Sequence, residues 1–235
     1  MVPAGDQLPS AAPGGRSRPE PPDNLRRVVE SATALFAQHG LNTTLAEVAR
    51  HAGVGVATVY RRFANKDDLI YEIYAPRLRG HEEVARRAAE AIDAGTAFFG
   101  LFAQSITELA ADKGLRELTT GGYTRSLGWA RGTAPDRLAE LLNENHASMG
   151  VHLTSLVHRA KESGRLRADF EATDMMVLSI AVQSTISFGG SEHPELYRRA
   201  LTVILDGLRP SGREITPLPP FALAGADLPQ ARPRQ

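Results

Sequence analysis

The chain has 235 residues, with 27 basic and 27 acidic side chains, 42% hydrophobic residues and no cysteine. That hydrophobic share supports a packed core in one or two domains, and the missing cysteines exclude a disulfide framework and a thiolate metal site. No run approaches the ~18 apolar residues of a membrane span, and residues 1–22 lack an apolar secretory segment, so a cytoplasmic protein without a membrane partner is expected.

Residues 1–22, rich in Pro, Gly and Ala, read as a disordered tail. Beyond them Leu25, Val28, Val29, Ala32, Leu35 and Phe36 recur on one helical face. Asp23 or Asn24 is placed to cap that helix and Gly40 to end it. Thr44, with Glu47 three residues on, spells a capping box for a second helix whose Val48, Ala49 and Ala52 face inward. Ala49 suits a close helix crossing, and Gly53 suits the positive φ of a tight turn. Val54 and Val59 fill the angle between two helices, and Phe63 closes the third helix against the first. This spacing is that of a helix-turn-helix occupying residues 23–74.

Gly55, Val56, Ala57, Thr58, Arg61 and Arg62 remain outward on the third helix, with Tyr60 partly outward. Small residues lead; hydroxyl and cationic groups follow. Such a face can approach the base edges and phosphates of double-stranded DNA. On this reading Thr44, Tyr60 and Lys66 hold phosphates, while Val56, Ala57, Thr58 and Arg61 approach bases. Charge agrees: from Asn24 to Lys66 the cations Arg26, Arg27, Arg50, Arg61, Arg62 and Lys66 face the anions Glu30 and Glu47, a local +4 on a chain that sums to zero. The alternative at this point is a helix-turn-helix with a packing role only, inside a helical small-molecule-binding protein or an enzyme.

Residues 67–92 read as a long helix interrupted near Pro76, whose ring crowds the carbonyl of Glu72; the kink is a candidate hinge between head and body. Residues 96–111 follow as an apolar, aromatic helix carrying Phe98, Phe99, Phe102, Ile106 and Leu109. A weaker helix at 114–126 and a loop at 128–134 precede Pro135, placed at the first position of a long helix, 136–163, that Gly164 ends. The last two helices are 173–188 and 194–208, and a second Pro-rich tail runs from 210 to 235. Strand signals are scarce, so the fold class is all-α with about nine helices, the body being 75–209.

In that body Phe98, Phe102, Tyr123, Trp129, His146, Met149, His152, Met175 and Gln183 are candidates for lining a cavity, or else for plain core. Few of them carry charge, so a hydrophobic or aromatic small-molecule effector is expected. Met176, Ile180, Ser184 and Ser187, with Leu196, Ala200, Val203, Ile204 and Gly207, form two faces suited to helix packing, either against a second copy or within the core.

Catalysis finds no foothold. His81-Glu82-Glu83-Val84-Ala85 opens like a zinc-protease helix but has alanine where the second histidine belongs. No nucleophile elbow or phosphate loop occurs. His146, His152 and His158 are six apart, off a common helix face. No catalytic residue, metal or cofactor is expected.

From Ala52 to Leu69 the sequence reads Ala-Gly-Val-Gly, a variable pair, Thr-Val-Tyr-Arg-Arg-Phe and then Lys-Asp-Asp-Leu. Over about 50 residues this resembles the tetracycline-repressor (TetR) family of bacterial transcription regulators, and beyond them the likeness is general. Gly55 departs from the pattern, standing where the family usually has a capping serine, which implies a less anchored helix start. The resemblance implies a three-helix DNA-binding head and a C-terminal effector-binding and dimerisation body. It also implies a two-fold dimer joined by a four-helix bundle, and a repressor released from a palindromic operator by its effector.

Overall fold

The computed structural model describes residues 21–119 and 136–210, which form nine helices and, among the described residues, no strand. Helix α1 (Pro21–His39) buries Val28, Ala32 and Phe36, a stripe at four-residue spacing. It starts just before the expected caps, because proline is at home in a first turn where no N–H is needed. Gly40, at φ +85°, ends it.

Helix α2 (Leu45–Ala52) begins at the expected capping box. Thr44 Oγ1 accepts from the Glu47 N–H at 3.2 Å, and the Thr44 N–H donates to Glu47 Oε2 at 2.7 Å. Gly53 is left-handed at φ +64°, and the Val54 N–H donates to the Ala49 carbonyl at 3.0 Å across the turn. Helix α3 (Val56–Arg62) starts at Gly55 without a side-chain cap, buries Val59 and stops at Phe63, itself buried.

Helix α4 (Lys66–Glu90) is capped by Asn65, whose Oδ1 accepts from the Asp68 N–H at 2.9 Å. It runs through Pro76 as one helix, so the interruption expected there does not occur. Pro76 and Glu72 both lie on the exposed side, where water can satisfy the carbonyl that the proline leaves without a donor. Helices α5 (Ala94–Ala111), α6 (Lys113–Thr119), α7 (Asp136–Glu162), α8 (Ala172–Gly189) and α9 (Leu196–Gly207) complete the body. The weak helix expected at 114–126 is described only as far as Thr119, and the expected loop at 128–134 and Pro135 lie outside the described residues. Arg159 of α7 donates to the carbonyls of Ala89 and Ala91, satisfying acceptors at the end of α4.

Two apolar clusters hold these helices together. The first joins α1, α2, α3 and α4 as far as Leu78, and it extends to Leu115 and Leu118 of α6 and to Leu138, Leu141 and Leu142 of α7. The second packs Phe98 edge-on against Phe99, Phe102 and Phe170, with ring centroids 5.3, 6.2 and 5.5 Å apart.

Tyr74 of the first cluster also joins a polar knot around the buried Asp112. Asp112 accepts from Tyr74 Oη at 3.0 Å and from the Leu115 N–H at 2.8 Å, and it pairs with Arg77. Burial, reinforced by Asp112, pushes the Tyr74 phenol well above its usual range. One turn further along α6, Glu117 Oε2 accepts the Leu41 N–H at 2.8 Å, while Lys66 Nζ donates to the Leu41 carbonyl at 2.6 Å. The chain between α1 and α2 is therefore held from both α6 and α4.

Candidate functional site

Helix α3 is anchored on one side and bare on the other. Val59 and Phe63 fix it in the core, whereas Val56 is 42% and Tyr60 54% exposed, and Gly55, Ala57, Arg61 and Arg62 are also exposed. Thr58 is half-buried and accepts a hydrogen bond from Arg61 at 3.0 Å, which steers that guanidinium along the helix. Two of the expected phosphate contacts are engaged within the protein. The Thr44 hydroxyl donates to Glu47 at 2.8 Å, so reaching a phosphate means exchanging that partner. Lys66 is half-buried, and burial lowers its pKa; one of its three donors goes to Leu41. The sequence reading missed Arg27 as a neighbour of this turn: a Cβ on Gly53 would lie 2.7 Å from its guanidinium. Charge alone could not single out Arg27 from the other cations of α1 and α2.

Helices α4, α5, α7 and α8, with Thr119 at the end of α6, line a cavity of about 1110 Å³. Leu78, Val84, Leu101, Met149, Leu153 and Met175 give it an apolar wall. His81 and Glu108 lie side by side on its wall, Nε2 to Oε2 at 2.7 Å. Burial lowers the His81 pKa, so near neutral pH its Nε2–H donates to the carboxylate as a neutral imidazole. His146 also lines the cavity and meets solvent there, yet the packed helices behind it lower its pKa too. Gln183 lines the same space at 6% exposure.

The residues 28–73 match the model of the tetR family of bacterial regulatory proteins, and residues 93–210 match that of the SbtR-like transcriptional regulator C-terminal domain. The chain belongs to the TetR family. It is 30% identical to a TetR regulator from Mycobacterium vanbaalenii over 80% of this chain and 96% of that one, with a TM-score of 0.49. It is 24% identical to YhgD, a helix-turn-helix-type regulator of Bacillus subtilis, over 78% of this chain and 93% of the relative. FadR of Bacillus subtilis, solved in complex with stearoyl-CoA, shares the fold at 16% identity and a TM-score of 0.52, covering 79% of this chain and all of FadR. TetR-family membership makes the chain a DNA-binding transcription regulator and sets aside a helix-turn-helix that serves packing alone.

Within this TetR-family body the expected cavity residues divide. His146, Met149, Met175 and Gln183 line the cavity. Phe98 and Phe102 do not: they are fully buried in the aromatic cluster that Phe170 completes. His152 is also off the lining. Tyr123 and Trp129 lie outside the described residues. Met176, expected on a partner face, lines the cavity instead. The stripe missed on α5 is Leu101, Gln104, Ser105 and Glu108, about a third of a turn from the phenylalanines at 3.6 residues per turn.

The expected partner faces are also placed. Ile180, Ser184, Ser187, Val203 and Gly207 are exposed, and Leu196, Ala200 and Ile204 are half-buried. Val177 and Phe188, not singled out before, extend the exposed apolar stripe of α8 at helical spacing from Ile180 and Ser184.

Proposed function

We propose that this TetR-family regulator is a homodimeric repressor that holds a palindromic operator and leaves it when a hydrophobic small molecule fills the cavity. The head is assigned to residues 23–74 and the effector-binding and dimerisation body to 75–209. The observation that carries the DNA contact is the bare side of α3: Val56 and Tyr60 are large apolar side chains held in solvent beside Arg61 and Arg62. An aromatic and an aliphatic group among cations suit a helix that enters a groove and meets phosphates.

Pairing is supported by the apolar groups that a lone protomer leaves in water on α8 and α9, with Phe188 at 87% and Val203 at 73% exposure. A two-fold dimer presents two heads to the two halves of a palindrome. Release follows from linkage: a ligand favouring one head spacing opposes DNA by the same coupling with which DNA opposes the ligand.

The test is an anisotropy titration of duplex DNA from upstream of the protein's own gene against a scrambled duplex, over a range of salt. Preference for the native sequence with steep salt dependence is expected. Equal, weak binding to both duplexes would remove the operator from this reading, and a monomer by light scattering that still binds tightly would remove the dimer.

A further inference from the structure

The cavity carries more information than its apolar wall. Gln183 is nine-tenths buried, and its Nε2 makes no hydrogen bond. Buried side-chain donors are rarely left unmet, and the exceptions call for an explanation. One helical turn back, the Ser179 hydroxyl donates to the Met175 carbonyl at 2.7 Å and so does not serve the glutamine. The amide of this cavity-lining residue is therefore a buried donor without an acceptor.

Glu108 is the second informative group. It receives the His81 Nε2–H at 2.7 Å on one oxygen and Gln104 Nε2 at 2.8 Å on the other. A carboxylate has about four acceptor positions, so it can take further donors. Among the described lining residues there is no lysine or arginine. The His81 imidazole is driven toward neutrality by burial, and Glu108 is the acidic residue among the described lining residues. An anionic head group would lose its water there and face a carboxylate. Met149, Met175 and Met176 add soft, adaptable contacts for an apolar body.

We infer that the ligand is an amphipathic molecule with an apolar body, a carbonyl or ether oxygen that accepts from Gln183 Nε2, and a protonated amine that Glu108 receives. This rests on the effector reading of the cavity and adds the chemical class.

Calorimetric titration with three twelve-carbon probes, each below its micelle threshold, tests it. Methyl 12-aminododecanoate carries both features, dodecylamine lacks the ester, and monomethyl dodecanedioate replaces the ammonium with a carboxylate. The first probe binds tightest, and each of the others binds roughly tenfold more weakly. Gln183→Leu abolishes the advantage of the ester and keeps that of the ammonium; Glu108→Gln does the reverse. The inference is overturned if the carboxylate probe equals or exceeds the amine in the unmodified protein. It is also overturned if Gln183→Leu leaves the ester advantage intact, or if none of the three probes binds. Operator titration on the same preparation separates the two readings. Ligand selectivity without operator binding overturns the regulator's mechanism and keeps the ligand class, and operator binding without ligand selectivity overturns only the class.

Discussion

Gly114→Ala is a one-methyl test of the junction between α4, α6 and the head. The new Cβ would lie 2.3 Å from Tyr74 Oη, 3.0 Å from the Phe36 carbonyl oxygen and 3.1 Å from Leu41 Cδ2. Two effects compete. Alanine is favoured over glycine within a helix by up to about 1 kcal/mol. Against that, forcing a methyl into a packed site costs about 1–3 kcal/mol. Tyr74 can make room only by leaving Asp112, a hydrogen bond to a charged acceptor worth about 1.5–3 kcal/mol. One of the three neighbours is backbone, and Tyr74 and Leu41 are themselves fully buried, so the clash wins. The expected net loss is about 2 kcal/mol, a fall in Tm of about 4–8 °C for a chain of this size. Thermal and urea melts of Gly114→Ala, Tyr74→Phe and the double variant form the assay. Removing Oη removes the closest contact, so Gly114→Ala should cost about 1 kcal/mol less in the Tyr74→Phe background. A Gly114→Ala protein as stable as the unmodified one, or strict additivity in the cycle, would refute the reasoning.

Other expectations are testable in the same way. Arg61→Ala should cost about 1–3 kcal/mol at the preferred operator and relax preference at one base pair, whereas Lys66→Ala should weaken binding to all sequences and lower the salt slope by about 1; an unchanged gel-shift titration for both would displace the DNA face from α3 and its surroundings. Ile180→Asp, which puts a charge on the exposed apolar stripe of α8, should give monomers by light scattering that bind the operator poorly. Pro76→Ala should change the ligand–operator coupling, typically about 1–3 kcal/mol, more than it changes ligand affinity for the free dimer; identical coupling with and without the proline would move the hinge elsewhere. Burial holds the folded pKa of His81 below its ordinary 6.5, so its neutral form is favoured by folding. That contribution is complete above pH 6.5 and is lost as pH falls through the depressed folded value. Melts across that interval should show a slope that His81→Gln flattens.

The head was legible because its signals are local. Thr44 and Glu47 are three residues apart and satisfy each other's backbone, and Gly53 is left-handed because the turn after α2 demands it. The body was legible as helices but not as a cavity. Its lining comes from five helices that sequence spacing cannot juxtapose, and the most conspicuous aromatic stripe, Phe98 and Phe102, is taken up by Phe170 some seventy residues away. Pro76 was read from its local chemistry alone; whether a proline breaks a helix also depends on which side of the helix it occupies, and here both Pro76 and Glu72 are exposed. Glu108 carried no motif, and only its placement beside His81 gives it meaning.

The first apolar cluster has a consequence for recombination. The head's core does not end where its sequence does: Leu115 and Leu118 of α6 and Leu138 and Leu142 of α7 share it with Phe36, Leu41 and Tyr74, and Glu117 holds the Leu41 amide. A hybrid that grafts residues 23–74 onto another body therefore swaps half of an interface whose other half stays behind. The exchangeable module is discontinuous: it consists of the head together with α6 and the first turns of α7. Shuffling that respects this seam should give folded hybrids, and cuts placed at the contiguous boundary should give proteins that express poorly even when both parents are stable.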